Sequence, residues 1–179
     1  MACGRAQATA VYYCSRFCRP RGIPVLADGG IATTGSLAKA LACGASAGMM
    51  GSMFAGAQET PGEYFYQDGV RVKKYRGMAS IEAMEKGGGK RYLYDDKSVK
   101  VSQGVSGVVV DKGSVVDLLA YVAQSLRQGL QDLGRRSIEE LHRAIEDDRL
   151  RYERRTPSAQ REGFVHSLYS YDEPVLGVK

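Results

Sequence analysis

The sequence has few of the residues that bind zinc: it contains two histidines and four cysteines. The cysteines, which are Cys3, Cys14, Cys18 and Cys43, match no zinc-binding spacing. Cys14 and Cys18 are four residues apart on a predicted helix, where small thiols commonly pack in a core. Unpaired thiols of this kind are typical of a reducing compartment. The composition therefore predicts a cytoplasmic protein without a zinc site.

Long apolar runs are also lacking. No run reaches the roughly 18 residues that a membrane-spanning helix needs. The amino-terminus has no apolar stretch typical of a secretory signal, and the final residues, 176–179, do not form a peroxisomal signal. We therefore expect a protein that does not act at a membrane.

The net charge of +5 is modest for a chain of 179 residues. Acidic and basic side chains are interleaved over residues 149–155, so the charge pattern does not predict nucleic-acid binding. Two interpretations of the charge stay open, namely an ordinary basic soluble protein or one that binds an anionic ligand. The length suits one domain, but a complete (β/α)₈ barrel typically needs about 250 residues.

The first part of the chain, residues 1–52, alternates helical and strand patterns with short connections. This alternation predicts an α/β fold with buried parallel strands. Thr33 or Thr34 can cap the second helix. The predicted elements are a helix at Ala6–Cys18, a strand at Ile23–Ala27, a helix at about Gly35–Cys43 and a strand at Ala45–Met50.

The rest of the chain divides into three segments. Residues 53–112 form a long glycine-spaced stretch without a clean period, in which 64–66 and 70–72 can pair as a hairpin. Residues 113–150 predict two helices, one beginning at Ser114 and one capped by Ser137 with Glu140 in a capping box. Residues 151–179 predict an extended tail.

Two turns follow the predicted strands and carry groups suited to a nucleotide. Asp28 with Gly29 and Gly30 ends the first strand, where a carboxylate can accept ribose hydroxyls. Gly51 and Ser52 end the second strand, where glycine lets backbone N–H groups approach phosphate. An N-cap or ordinary turn aspartate is the alternative interpretation of Asp28.

The long segment carries further candidates. Tyr75 can donate its hydroxyl to phosphate or simply anchor the loop. Gln103 carries an amide suited to a purine edge, although its neighbours also suit a plain turn. Arg91 and Tyr92 follow three glycines, where such a pair is usually solvated surface.

Taken in order, these motifs resemble the carboxy-terminal part of the IMP dehydrogenase and GMP reductase family. The resemblance runs from about residue 2 to residue 171. The motifs that carry it are Ala27–Ile31, Met49–Ser52, Pro61–Glu63, Lys73–Met78, Arg91–Tyr92, Gln103–Gly107, Asp111–Gly113 and Ser158–Gln160.

The resemblance implies a TIM (β/α)₈ barrel that works as a homo-tetramer. This chain would supply the last two βα units, the flap and the tail. The implied reaction oxidises IMP to xanthosine monophosphate with NAD: a cysteine attacks C2 of the base, hydride passes to NAD, and water hydrolyses the covalent intermediate. That cysteine is expected upstream of Met1, so the isolated chain is expected to be inactive.

The resemblance also assigns residues. Asp28, with the adjoining Gly29 and Gly30, would bind ribose. Gly51, Ser52 and Tyr75 would hold phosphate. The base would contact the turn at Gly77, Met78 and the backbone of Ala79, together with Gln103. Arg91 would activate water, with Tyr92 beside it, on a flap spanning roughly 80–101. The carbonyls of Glu162, Gly163 and Phe164 would help bind potassium.

Two substitutions depart from the family pattern: Ala79 and Phe164 each stand where the family usually has glycine. Two alternatives to the dehydrogenase stay open. A GMP reductase shares the phosphate turns, although the Arg91–Tyr92 pair serves a hydrolytic step that a reductase does not need. The other alternative is a non-catalytic fragment that only binds nucleotide or associates with intact barrels.

Overall fold

The computed structural model describes residues 4–87 and 99–162. Helices and strands alternate at the start, and an antiparallel sheet and further helices follow. The elements are α1 (Gln7–Cys18), a 3₁₀ turn (Arg19–Arg21), β1 (Leu26–Asp28), α2 (Thr34–Ala42), β2 (Ala47–Met49), α3 (Ser52–Ala55), β3 (Tyr64–Gln67), β4 (Val70–Arg76), α4 (Ile81–Glu85), β5 (Ser106–Val110), α5 (Val115–Asp132), α6 (Ile138–Glu146) and α7 (Pro157–Glu162).

β1 and β2 pair in parallel, with Leu26 opposite Ala47 and Asp28 opposite Met49. This pairing confirms the predicted α/β pattern. The prediction of strands buried on both faces is wrong, because the side chains of Leu26 and Met49 are 56% and 53% exposed. Helices of the described chain cover only one face of this sheet, on which Ala27 is buried.

The helix α2 is the centre of the main core. Its N-cap is Thr33, whose hydroxyl accepts a hydrogen bond from the Ser36 amide at 3.1 Å, as a side-chain cap should. Leu37 and Leu41 of α2 pack with helices α1, α5 and α6. Burial of this apolar cluster holds the helices against the parallel sheet. Its fully or nearly buried members include Val11, Ala42, Ala45, Leu118, Val122 and Leu141.

The segment 53–112 is more regular than its sequence predicts. The hairpin is confirmed, with Tyr64 opposite Lys73 and Gln67 opposite Val70, and Asp68 and Gly69 turn the chain at positive φ. β4 also pairs with β5 in antiparallel register, which brings Tyr75 opposite Gly107. Pairing of residues 30 to 38 positions apart leaves no local period, and for this reason the sequence did not predict β5.

Helix α5 begins directly after Ser114, where a helix was predicted to start, and α6 begins at its predicted cap, Ser137. The Ser137 hydroxyl accepts from the Glu140 amide at 3.2 Å, while the Glu140 carboxylate accepts from the Arg136 amide at 2.9 Å. The prediction of an extended tail is wrong for residues 157–162, which form α7. Residues 163–179 of the predicted tail lie outside the described part. Among the described helices, none is long and apolar enough to cross a membrane.

His142 joins α6 to the end of α2. Its Nε2 lies 3.0 Å from the Leu41 carbonyl oxygen and 3.2 Å from that of Ala45, so Nε2 donates to these carbonyls. Burial lowers the pKa of His142, and the positive charge of Arg19 lowers it further. The unfolded chain therefore binds the His142 proton more tightly than the folded chain does.

We expect the stability of the chain to fall as pH drops from about 6.5 through the lowered folded pKa of His142. Above that window both states carry neutral histidine, so the contribution of this group levels off. Thermal unfolding between pH 5 and pH 7.5 measures the slope of stability against pH. In the variant His142→Gln, which keeps an amide donor but cannot titrate, the slope in this window should shrink. An unchanged slope would contradict the role given to His142.

Candidate functional site

The carboxyl ends of β1 and β2 lie side by side, as the sequence predicted. Asp28 stands opposite Met49 in the parallel register, and its side chain is exposed. Gly29 and Gly30 follow at φ 107° and 71°, a backbone region that favours glycine. The chain thus leaves β1 in a conformation that keeps the Asp28 carboxylate at an open rim.

One residue at this rim was missed by the sequence analysis. Gln7, the first residue of α1, donates its side-chain amide to the backbone carbonyl of Asp28. This hydrogen bond ties the beginning of α1 to the end of β1, although 21 positions separate the two residues. An isolated glutamine at a helix start gives no signal in the sequence that it contacts a strand end.

Gly51 and Ser52 come together with Tyr75, as expected for a shared phosphate site. A Cβ atom placed on Gly51 would lie 3.6 Å from the Tyr75 hydroxyl oxygen. Gly51 precedes α3, and its carbonyl accepts from the amides of Phe54 and Ala55 at 3.2 and 3.0 Å. Gly51 and Ser52 are both exposed. The turn at Gly51 and Ser52 is therefore solvent-accessible, and the Tyr75 hydroxyl lies next to Gly51.

The two segments predicted to contact a base are also brought together. The Ala79 carbonyl accepts from the amides of Gln103 and Gly104 at 3.0 and 2.9 Å. The Gly77 amide donates to the Val105 carbonyl at 2.7 Å. Met78 is 59% exposed, and Gln103 is exposed beside it. A paired strip thus presents Met78 and the Gln103 amide to solvent.

β4 connects the residues of the predicted phosphate site to this strip. Tyr75 lies near its end, and Gly77 follows the strand directly. Ser80 fixes the next turn, because its buried hydroxyl donates to the Gly77 carbonyl at 2.7 Å and caps α4. The predicted phosphate and base contacts therefore stand next to one another along one chain segment.

Other predicted residues are not placed. Arg91, Tyr92 and half of the flap lie within residues 88–98, which are outside the described part, and Gly163 and Phe164 are outside it too. Glu162 is the last residue of α7.

Two side chains to which the sequence analysis gave no role, those of Lys112 and Glu59, hold the segment 53–59 that follows Gly51 and Ser52 in place. The Lys112 ammonium donates to the Met53 carbonyl at 2.9 Å, and burial lowers the pKa of Lys112. Glu59 accepts from the Val115 amide and the Ser114 hydroxyl, both at 2.8 Å, at the start of α5. The backbone bond to Val115 is the main reason that the pKa of Glu59 is lowered.

Comparison with known proteins identifies the arrangement. A model of the IMP dehydrogenase / GMP reductase domain matches residues 1–166. The chain belongs to this family. The inosine-5'-monophosphate dehydrogenase of Trypanosoma brucei brucei is 49% identical over 181 residues, which cover 100% of this chain and 35% of that protein. The enzyme of the same name from Vigna unguiculata is 53% identical over 172 residues, which cover 96% of this chain and 34% of the relative.

A solved structure extends the likeness to three dimensions. The GMP reductase variant C318A of Trypanosoma brucei, in complex with guanosine 5'-monophosphate, aligns with a TM-score of 0.78 at 37% identity. The alignment covers 93% of this chain and 33% of that one. The α/β fold is therefore similar to that of this GMP reductase. The chain spans about a third of the length of the relatives it matches.

Proposed function

We propose that this chain carries the purine-nucleotide rim of an oxidoreductase that converts IMP to xanthosine monophosphate. The observation that carries the proposal is the approach of the Tyr75 hydroxyl to Gly51. It brings a hydroxyl donor to a glycine-serine turn at a parallel strand end, where α/β proteins gather ligands. The 5'-phosphate of IMP would lie against Gly51, Ser52 and Tyr75.

The remaining contacts follow from the same geometry. The Asp28 carboxylate, held at an open rim beside Gly29 and Gly30, would accept from the ribose hydroxyls. The base would lie along the strip that Gly77, Met78 and Ala79 form with Gln103. Because a neutral amide both donates and accepts, the Gln103 side chain can pair with the hydroxypurine edge.

The finer assignments belong to the same proposal. The chain would supply the last two βα units of a TIM barrel, in a cytoplasmic homo-tetramer. NAD would accept the hydride removed from C2. Arg91 and Tyr92 would promote the attack of water. The Glu162 carbonyl, followed by those of Gly163 and Phe164, would help bind potassium.

GMP reduction is the second candidate, and one observation favours it: the aligned solved structure is a GMP reductase with bound guanosine 5'-monophosphate. The curated dehydrogenases share more identity with this chain, at 49% and 53% against 37%. The Arg91–Tyr92 pair also favours the dehydrogenase. A chimera of this chain with the preceding two thirds of the T. brucei brucei dehydrogenase separates the two, since faster turnover of GMP with NADPH than of IMP with NAD would favour the reductase.

Binding to the chain itself tests the phosphate and ribose contacts. Calorimetric titration should show IMP binding more tightly than inosine. The variant Tyr75→Phe should weaken IMP binding about 10-fold to 100-fold, because a hydrogen bond to a charged group contributes about 1.5–3 kcal/mol. Inosine binding should not change in that variant. The matched variant Asp28→Asn should weaken both ligands. Equal IMP affinity in the wild type and Tyr75→Phe would refute the phosphate assignment.

A further inference from the structure

Lys73, in the middle of β4, is the largest fully buried side chain in the described structure. Its ammonium donates to the backbone carbonyls of Ala57, Gln58 and Thr60 and to the Thr60 hydroxyl. It also lies 4.4 Å from the centre of the Tyr64 ring. Among residues 4–87 and 99–162, Lys73 forms no ion pair with a carboxylate. Backbone oxygens and an aromatic ring therefore take the place of water around this charge.

Burial of an ammonium is costly unless its donors are all used. Here each N–H group has an oxygen acceptor within 3.3 Å. The stem is enclosed as well, since a Cβ on Gly62 would lie 2.8 Å from the Lys73 Cγ atom. Lys73 thus draws the carbonyls of Ala57, Gln58 and Thr60 around one point, in a turn that the side chains of Thr60 and Glu59 also hold.

The position of Lys73 relates this cluster to the phosphate turn. Lys73 and Tyr75 are two residues apart on one strand, so their side chains point to the same face, about 6.6 Å apart along the strand. α3, with four residues, is about 6 Å long. Tyr75 reaches Gly51 before α3, and Lys73 reaches the carbonyls that follow α3. One face of β4 therefore holds both ends of the segment 51–60.

We propose that Lys73 is a positioning residue for the binding of a 5'-phosphate monoester. Its ammonium locks the segment 51–60 against β4, so that Gly51 and Ser52 stay in register with the Tyr75 hydroxyl. Lys73 does not touch the ligand, because its donors are occupied by the carbonyls behind α3. The inference rests on the proposed function, in which the phosphate lies against Gly51, Ser52 and Tyr75.

Hydrogen exchange of the chain tests the locking without any ligand. In Lys73→Met, the amides of Ala55, Ala57 and Thr60, which donate to the carbonyls of Gly51, Phe54 and Ala57, should exchange at least tenfold faster. The amides of Gly77 and Asp111, bonded across to Val105 and Arg71, should keep their protection. Lys74→Met is the matched control, since Lys74 is exposed on the opposite face of β4. It should leave all these amides unchanged.

Ligand affinity tests the consequence. Lys73→Met should weaken IMP binding tenfold or more and leave inosine binding unchanged, whereas Lys74→Met should change neither. Unchanged exchange at residues 55–60, equal acceleration throughout the sheet, or equal loss of IMP and inosine affinity would each overturn the proposal. If wild-type chain binds IMP no more tightly than inosine, the proposed phosphate site is wrong, and exchange alone still decides whether Lys73 locks the segment.

A chemical rescue guards against a merely unfolded variant. Lys73→Ala removes the Cγ, Cδ and Cε methylene groups and the ammonium. n-Propylammonium matches this removed part in shape and carries the same three N–H donors. Propylammonium should restore slow exchange at residues 55–60 in this variant. Tetramethylammonium, a cation without N–H groups, should not. Equal rescue by both cations, or by neither, would overturn the claim that hydrogen bonds from the ammonium do the locking.

Discussion

Alanine in place of Gly104 is expected to weaken IMP binding about 100-fold. A Cβ atom at this position would lie 2.8 Å from the Ala79 carbonyl carbon and 2.8 Å from the Ser80 nitrogen. Both are backbone atoms, so the strip that carries Met78 and Gln103 would have to separate. The Ala79 carbonyl would lose its hydrogen bonds from Gln103 and Gly104. A loss of about 2.7 kcal/mol in binding corresponds to a factor of about 100.

Gly107→Ala is the matched control for this prediction. Gly107 lies three residues further along, in β5, and a Cβ atom there would meet nothing within 4 Å. Calorimetric titration of IMP into both variants, with thermal unfolding to confirm that each is folded, makes the comparison. If Gly104→Ala binds IMP as tightly as Gly107→Ala does, Gln103 and the Ala79 turn do not form the base site.

Of the glycine substitutions that we predict, Gly56→Ala should cause the largest loss in the free energy of unfolding. A Cβ atom there would lie 2.2 Å from the Val110 carbonyl oxygen and 3.1 Å from the Lys112 Cγ atom. The backbone after α3 would have to move away from the end of β5. That movement would break the hydrogen bond from the Lys112 amide to the Gly56 carbonyl, now 3.0 Å. Forced overpacking of this kind costs about 3 kcal/mol.

The opposite sign is expected at Gly129, inside α5. A Cβ atom there would lie 3.8 Å from the Ala38 Cβ atom, which is ordinary packing contact. Alanine is favoured over glycine in a helix interior by up to about 1 kcal/mol, so Gly129→Ala should be stabilising. Urea unfolding of both variants measures the two changes. A Gly56→Ala variant as stable as the wild type would show that the junction between α3 and β5 is looser than its geometry indicates.

Several elements were predictable because their signals are local. The caps Thr33 and Ser137 stand where a polar side chain precedes an apolar stripe, and each accepts from the expected amide. The hairpin turn at Asp68 and Gly69 was predicted in the same way. The ordered motifs were sufficient for the family, which the match over residues 1–166 confirms.

Other features depend on contacts that no local pattern encodes. β5 forms only by pairing with β4, and α7 begins at a proline in a polar stretch that predicted a tail. Lys73 reads as a solvated cation in the sequence, beside another lysine, yet it is fully buried. Leu26 and Met49 belong to apolar runs that predict burial on both faces of the sheet, yet their side chains are exposed.

Local sequence patterns were enough to establish the family, the alternation of helix and strand in residues 4–49, and the residue types of a nucleotide rim. Apolar periodicity, caps and glycine turns act over a few residues, so they can be recognised without a fold. The folded chain was needed to show that Tyr75 meets Gly51 and that Gln103 pairs with Ala79. Those contacts join residues 24 positions apart, and their geometry is set by the antiparallel register of β4 with β5 and by the carbonyl cluster around Lys73.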